Sequence, residues 1–144
     1  MRSAMGKKFE VDLSQVYTSL MLDSIEYHLF PNACFFPGIQ IPLVYRFRPT
    51  SVGTCIHEIL ILEPIPESGE HPKPAEVTRL DIETSYKTVP DFALAHVLDQ
   101  DTENFTRQWA GMQASKKEGQ TLANYQEARI RNFHNTLDQY LGEN

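Results

Sequence analysis

The stretch "LDQDTENFTRQ", Leu98 to Gln108, decides how this chain is read. Its periodicity is that of a helix, and a helix turns about 100° per residue. On that wheel Leu94, Val97, Phe105 and Met112 all fall within about 40° of Asp101. Leu98 lies slightly further round, and Gln108 shares the same apolar side. Asp101 therefore sits near the middle of an oily stripe. Asp99 and Glu103 point roughly the opposite way and read as ordinary solvent charges. An ionised carboxylate inside an apolar stripe is costly unless it is paired, hydrogen-bonded or bound to a cation. Two readings stay open. Asp101 is a satisfied buried acid that meets Arg46, Arg48 or a tyrosine hydroxyl of a sheet, or it serves a metal or catalytic site.

Helical signals extend on both sides of the stretch. Thr88, Pro90 and Asp91 supply a cap, a first-turn proline and a first-turn acid for a helix from about Asp91 to Lys116, ending before Gly119. A second helix starts near Asn124, where Asn124 and Glu127 resemble a capping box. Ile130, Phe133, Leu137 and Leu141 then recur at helical spacing up to Gly142.

Upstream the pattern is extended. "SIEYHLF" (Ser24–Phe30) alternates Ile25, Tyr27 and Leu29 with Glu26 and His28. "FPNACFFPGIQ" breaks that alternation with prolines and a glycine. "IPLVYRFRPT" resumes it, "SVG" signals a turn, and "TCIHEILILEPI" reads as a strand covered on both sides. "PIPESGEHPKP" (64–74) is a surface loop, and "EVTRLDIETSY" (76–86) reads as a further strand. The chain is thus β-rich over about 20–85, with helices over about 90–117 and 123–141. No helical crossover separates the strands. The expected class is α+β: an antiparallel twisted sheet packed on C-terminal helices.

Composition narrows the function classes. The 144 residues suit one domain; 41% are hydrophobic and 22% charged, as in soluble globular proteins. The net charge of −6 and the scattered Lys and Arg argue against nucleic acid as a partner. No apolar run is long enough to span a bilayer, and the N-terminus lacks the apolar core of a secretory signal, so a cytoplasmic location and no membrane partner are expected. Cys34 and Cys55 stand alone and read as free thiols. His96 is five residues from Asp101 and does not share its helical face. No HExxH, GxSxG, P-loop or GxGxxG motif occurs. The residues alone offer one carboxylate of interest and no complete active site.

Three stretches, in order, carry a resemblance. "LDQDTENFTRQWAGMQAS" resembles the C-terminal catalytic helix of Rieske non-haem iron oxygenases, the α subunits of aromatic-ring-hydroxylating dioxygenases, whose pattern there is D-x-x-N, often D-x-E-N. "EYHLFPN" (Glu26–Asn32) is similar to the family's central strand, and "NYQEARIRNFHNTLDQYL" (Asn124–Leu141) to its terminal helix. The resemblance covers about Asp23 to the C-terminus and leaves the first 20 or so residues unplaced.

The resemblance implies a partial helix-grip fold, with residues 1–144 forming the C-terminal portion of a catalytic domain and no Rieske domain. It implies a mononuclear Fe(II) held by two His and one carboxylate, with open positions for O₂. Asp101 matches that carboxylate, and the two His are expected outside this sequence. The family's [2Fe–2S] cluster is not expected on this chain. Asn104 and Gln108 are expected behind the ligand as orienting groups. Leu94, Val97, Leu98 and Phe105 are expected to pack the sheet, with one or two lining the substrate pocket. Implied partners are the remaining N-terminal part of the α subunit, a trimer-like homo-oligomer, ferredoxin or reductase donors, and an aromatic substrate to be oxygenated in catabolism. The chain alone is expected to be inactive, marginally stable and prone to self-association through open sheet edges. The competing readings are a non-catalytic hydrophobic-ligand binder of helix-grip type and a purely structural fragment.

Overall fold

The computed structural model describes residues 1–63, 65, 71 and 73–142. The chain divides into two compact units, residues 1–71 with 123–144, and residues 72–122. The first unit holds a four-stranded antiparallel sheet in the order β1-β2-β3-β4: Tyr27–Leu29, Ala33–Phe36, Leu43–Ser51 and Thr54–Ile61. The helices are α1 (Arg2–Phe9), α2 (Thr18–Leu22) and α4 (Ala128–Leu141) in this unit, and α3 (Ala95–Ala114) in the second. The class is α+β, as expected from strands followed by helices, and is consistent with a helix-grip-like catalytic domain.

β3 and β4 form a hairpin in which Val44 faces Leu60, Arg46 faces Glu58 and Phe47 faces His57. Period-2 alternation then sorts the side chains. One face carries stacked rings: Phe47 lies on His57 at 4.5 Å between centroids, Tyr45 meets His57 edge-on at 5.1 Å, and Phe36 meets Tyr45 at 5.7 Å. The other face carries Arg46 and Arg48, both paired with Glu58. Leu43, 2% exposed, is the buried residue at the head of β3. The free energy of such a sheet comes from these cross-strand pairs more than from backbone propensity. α4 packs against the end of β1 through rings: Phe133 meets His28 at 5.3 Å and Phe30 at 5.9 Å, and Tyr140 lies 5.0 Å from Phe30.

Several elements differ from the sequence expectation. The prolines of "FPNACFFPGIQ" bound a strand instead of replacing one: β2 runs Ala33–Phe36 between the turn at Pro31–Asn32 and Pro37. Proline cannot donate to a ladder and is therefore well placed at the ends of a strand. β4 is not covered on both sides, since Ile56, Leu60 and Ile61 stay about 40–50% exposed. The stretch 76–86 is not a strand; residues 76–81 have no regular structure and Tyr86–Thr88 forms a 3₁₀ turn. Its alternation sets Val77 with Arg79 and Asp81, so neither face is cleanly apolar, and no strand pairs with it among the described residues. The loop expected over 64–74 lies largely outside the described residues.

The helix expected from Asp91 begins at Ala95. Asp91 has a positive φ of 54°, a left-handed conformation that cannot start a helix. Thr88 closes the 3₁₀ turn by donating its hydroxyl to the Ser85 carbonyl. α4 likewise begins at Ala128 rather than Asn124, with Glu127 as its cap residue. The Glu127 carboxylate accepts from the Ala123 amide and Arg131 donates to the carbonyls of Ala123 and Asn124, so these side chains hold the loop. Gly142 ends α4 at φ 76°, the left-handed closure that glycine adopts without strain.

The first twenty residues also have a place. Arg2 donates to the Val16 carbonyl at 2.8 Å and to the Thr18 hydroxyl at 3.0 Å, tying α1 to the start of α2. Gly6 is required there: a Cβ would come within 2.8 Å of the Val11 carbonyl oxygen, whose own amide closes back on Gly6.

Candidate functional site

α3 carries the residues singled out by the sequence, and its two long faces are built differently. The back face meets the turn that precedes the helix. The Asp99 carboxylate accepts the Ser85 hydroxyl and the Tyr86 backbone N–H, each at 2.7 Å. The Ser85 hydroxyl in turn accepts from the Lys87 amide at 3.1 Å, and Thr102 donates to the Tyr86 hydroxyl at 3.4 Å. Phe92 lies 6.2 Å from the Tyr86 ring. Asp99 is half-buried in this arrangement. The Ser85 hydroxyl and the Tyr86 amide, and to a lesser degree the charges of Lys87 and His96, hold its carboxyl below the usual aspartate range. Asp99 is therefore not the ordinary solvent charge that the helical wheel suggested. Beside it Ile82, Thr84, Ser85, Asp99, Thr106 and Arg107 line an open polar groove of about 520 Å³. Glu103 is a solvent charge as expected, paired with Arg107 one turn on.

The front face is the stripe around Asp101. From Val97 on it is helical, so Val97, Asp101, Asn104, Phe105, Gln108 and Met112 share one side, and Leu94, expected on it, stands just before the helix as its cap residue. The stripe is half-exposed. Val97 is 48%, Phe105 45% and Met112 43% exposed, and Asp101, Asn104 and Gln108 are exposed too. Leu98, only 1% exposed, and Ala95, at 7%, are the buried residues of α3, at the seam between the stripe and the back face. The Asp101 side chain makes no hydrogen bond or ion pair among the described residues.

The site residues missed by sequence reading are Ser85, Tyr86 and Asp99. A signal was present: Ala95, Thr102 and Thr106 share the back of the helix with Asp99, and small side chains there permit close approach of a second segment.

The match that decides the family covers nearly the whole chain: residues 5–143 fit the model of the ring hydroxylating alpha subunit (catalytic domain). The chain belongs to that family. No curated protein and no solved structure matches it. Ring-hydroxylating α subunits are the oxygenase parts of multicomponent oxidoreductases, served by electron-transfer partners and dependent on non-haem iron and a Rieske cluster. No helix of this ring-hydroxylating domain is long and apolar enough to cross a membrane.

The family's dependence on non-haem iron raises the question of which donors this chain offers. Asp101 has the chemistry of one donor: an exposed carboxylate with no partner among the described residues, set among apolar side chains. Among the described residues, which include all five histidines, no three His, Cys, Asp or Glu side chains gather. The chain's own residues fit one position of an iron site and not the whole of it.

Proposed function

We propose that this chain supplies the carboxylate-bearing helix and part of the pocket wall of a ring-hydroxylating oxygenase catalytic domain. Asp101 is the carboxylate donor to the mononuclear iron, and two histidines come from polypeptide outside residues 1–144. The observation that carries this reading is the position of Asp101: exposed, unpartnered and central in a half-exposed apolar stripe, within a chain whose family requires such a donor. An exposed carboxylate with no protein partner keeps both oxygens free to coordinate a cation.

Asn104 and Gln108 lie on the same side as Asp101 and would orient its carboxylate once iron is bound; most of Leu94, Val97, Leu98 and Phe105 pack, Leu98 being buried, and one or two of them line the pocket of an aromatic substrate. When bound, the iron activates O₂ for insertion into that substrate. The electrons come from a reductase, directly or through a ferredoxin, in a trimer-like assembly of the cytoplasm. By itself the chain binds iron weakly and does not turn over.

The test is split complementation. The chain is co-produced with a family α-subunit polypeptide carrying the Rieske domain and the histidine pair, and iron is counted in the purified complex. About one mononuclear iron per complex, lost on Asp101→Ala, is the expected result. Stoichiometric Fe(II) on the isolated chain would overturn the shared-site reading. NADH-dependent product from the chain without another oxygenase polypeptide would overturn its inactivity. A chain that instead retains apolar ligands equally well as wild type and Asp101→Ala, with no iron in either complex, is a hydrophobic-ligand binder.

A further inference from the structure

We propose that Asp99 is a positioning residue for Asp101: by gripping the turn Ser85–Thr88 from behind, it fixes the roll of α3 and so the direction in which the Asp101 carboxylate points. The inference rests on the reading of Asp101 as an iron donor and adds a second acid to it.

The geometry supports this on three counts. Asp99 and Asp101 are two residues apart, which places them about 200° apart around the helix. Whatever is pinned behind α3 therefore sets what faces forward. The pin is two-pronged: Ser85 holds one carboxylate oxygen and the Tyr86 amide the other, both at 2.7 Å. Two bonds to two oxygens of one planar group restrain rotation, which a single bond does not. The partners are themselves fixed. Ser85 is tied to the Lys87 amide, and Thr88 closes on the Ser85 carbonyl, so the turn is a rigid anchor. Thr102, one turn along the same side, adds a weaker contact to Tyr86.

The lever is long enough to matter. A side-chain tip lies ~5–6 Å from the helix axis, so a roll of ~10° moves the Asp101 carboxylate by ~1 Å. Donor sets tolerate displacements of only ~0.5 Å before binding weakens. The N-terminus of α3 has no side-chain cap, since Leu94 stands at that position; there the Ala95 amide bonds back to the Phe92 carbonyl at 3.1 Å. The grip at Asp99 adds two side-chain bonds to the turn before the helix.

The experiment uses the full chain and the co-produced complex described above. Asp99→Ala removes both acceptors. Asp99→Asn keeps one amide oxygen to accept from the Tyr86 N–H or the Ser85 hydroxyl and is the rescue variant. Ser85→Ala removes one prong. Three quantities are read: helix content by circular dichroism, hydrogen exchange at the Tyr86 amide, and the dissociation of iron from the complex, with the spectrum of its nitric oxide adduct as a signature of ligand geometry. Asp99→Ala is expected to keep its helix content, to speed exchange at Tyr86, and to release iron at least about tenfold faster with an altered adduct spectrum. Asp99→Asn and Ser85→Ala are expected to fall between it and wild type.

If Asp99→Ala speeds exchange at Tyr86 while iron retention and the adduct spectrum stay as in wild type, the grip is only structural and the proposal is overturned. Asp101→Ala would still release the iron in that case, and the donor reading would stand. If Asp101→Ala itself leaves the iron in place, the donor reading fails and takes this inference with it. Should Asp99→Ala lose its helix, Asp99→Asn decides: a folded variant with wild-type iron retention and spectrum despite faster Tyr86 exchange overturns the proposal, and one with weakened retention supports it.

Discussion

The two faces of α3 make opposite use of the same residue type. At the back, Asp99 is half-buried, bonded at both oxygens and held below its usual pKa by a serine hydroxyl and a backbone amide. At the front, Asp101 is exposed and unengaged among half-exposed apolar side chains. One acid holds structure and the other is available. The difference teaches that the hydrophobic wheel locates the odd carboxylate but does not say which carboxylate is satisfied. Satisfaction depends on a partner segment that the wheel does not contain.

The largest effect is expected at the seam between the faces. Leu98 is 1% exposed, and Leu98→Ala removes a buried side chain from a helix with only one other buried residue. Losses for such truncations run ~2–5 kcal/mol. Thermal unfolding followed by circular dichroism checks it. Val97→Ala on the exposed front face is expected to cost well under half as much. Equal costs would mean that the front stripe is packed as tightly as the seam, and the comparison would collapse.

How much of this was legible beforehand follows from the range of the forces involved. α3 and α4 were visible because their apolar residues repeat locally, and the β3–β4 hairpin because its alternation and the "SVG" turn are local as well. The starts of both helices were misjudged, because the left-handed Asp91 and the loop-holding Glu127 take residues that otherwise suit a cap. β2 was hidden by flanking prolines that bound it. The pairing of Asp99 with Ser85 and Tyr86 spans 13–14 residues and depends on the path of the turn between them, which no periodicity encodes. Asp101 shares its side of α3 with Val97, Phe105 and Met112 as the wheel indicates, and a wheel reports which residues share a side and not whether anything covers it.

The sheet offers a second form of the comparison in its two cysteines. Cys34 is half-buried, and burial, reinforced by a hydrogen bond and charge from Glu26, pushes its thiol up to about 11. At pH 8 only about one Cys34 in a thousand is then a thiolate, the form that reacts. Cys55 is exposed. Iodoacetamide at pH 8 is expected to alkylate Cys55 at least about tenfold faster than Cys34, read by peptide mass. Glu26→Gln should narrow the gap without closing it, because burial is the larger cause.

A smaller effect is expected on the sheet's charged face. Arg46 first, and Arg48 after it, hold the Glu58 carboxyl below its ordinary 4.5. A carboxyl depressed by folding contributes stability above its unfolded pKa, and that contribution is lost as pH falls through the lower folded value. Stability is therefore expected to fall below pH 4.5 with a component that Glu58→Gln removes. The arginines are exposed and Glu58 is partly so, so salt should weaken the effect. A Glu58 titration midpoint at or above 4.5 by NMR would contradict the pairing.

The smallest effect on stability is expected at Asp101 itself, and that small size is informative. A carboxylate engaged as Asp99 is would leave its donors without an acceptor when truncated. Asp101 has no such donors among the described residues, so Asp101→Ala in the isolated chain should change stability by less than about 0.5 kcal/mol. Asp101→Leu should be equally mild in unfolding but should join Val97, Phe105 and Met112 into a larger exposed patch and raise self-association, seen by sedimentation or light scattering. A loss of several kcal/mol on Asp101→Ala would show a hidden partner and return this acid to the class of Asp99.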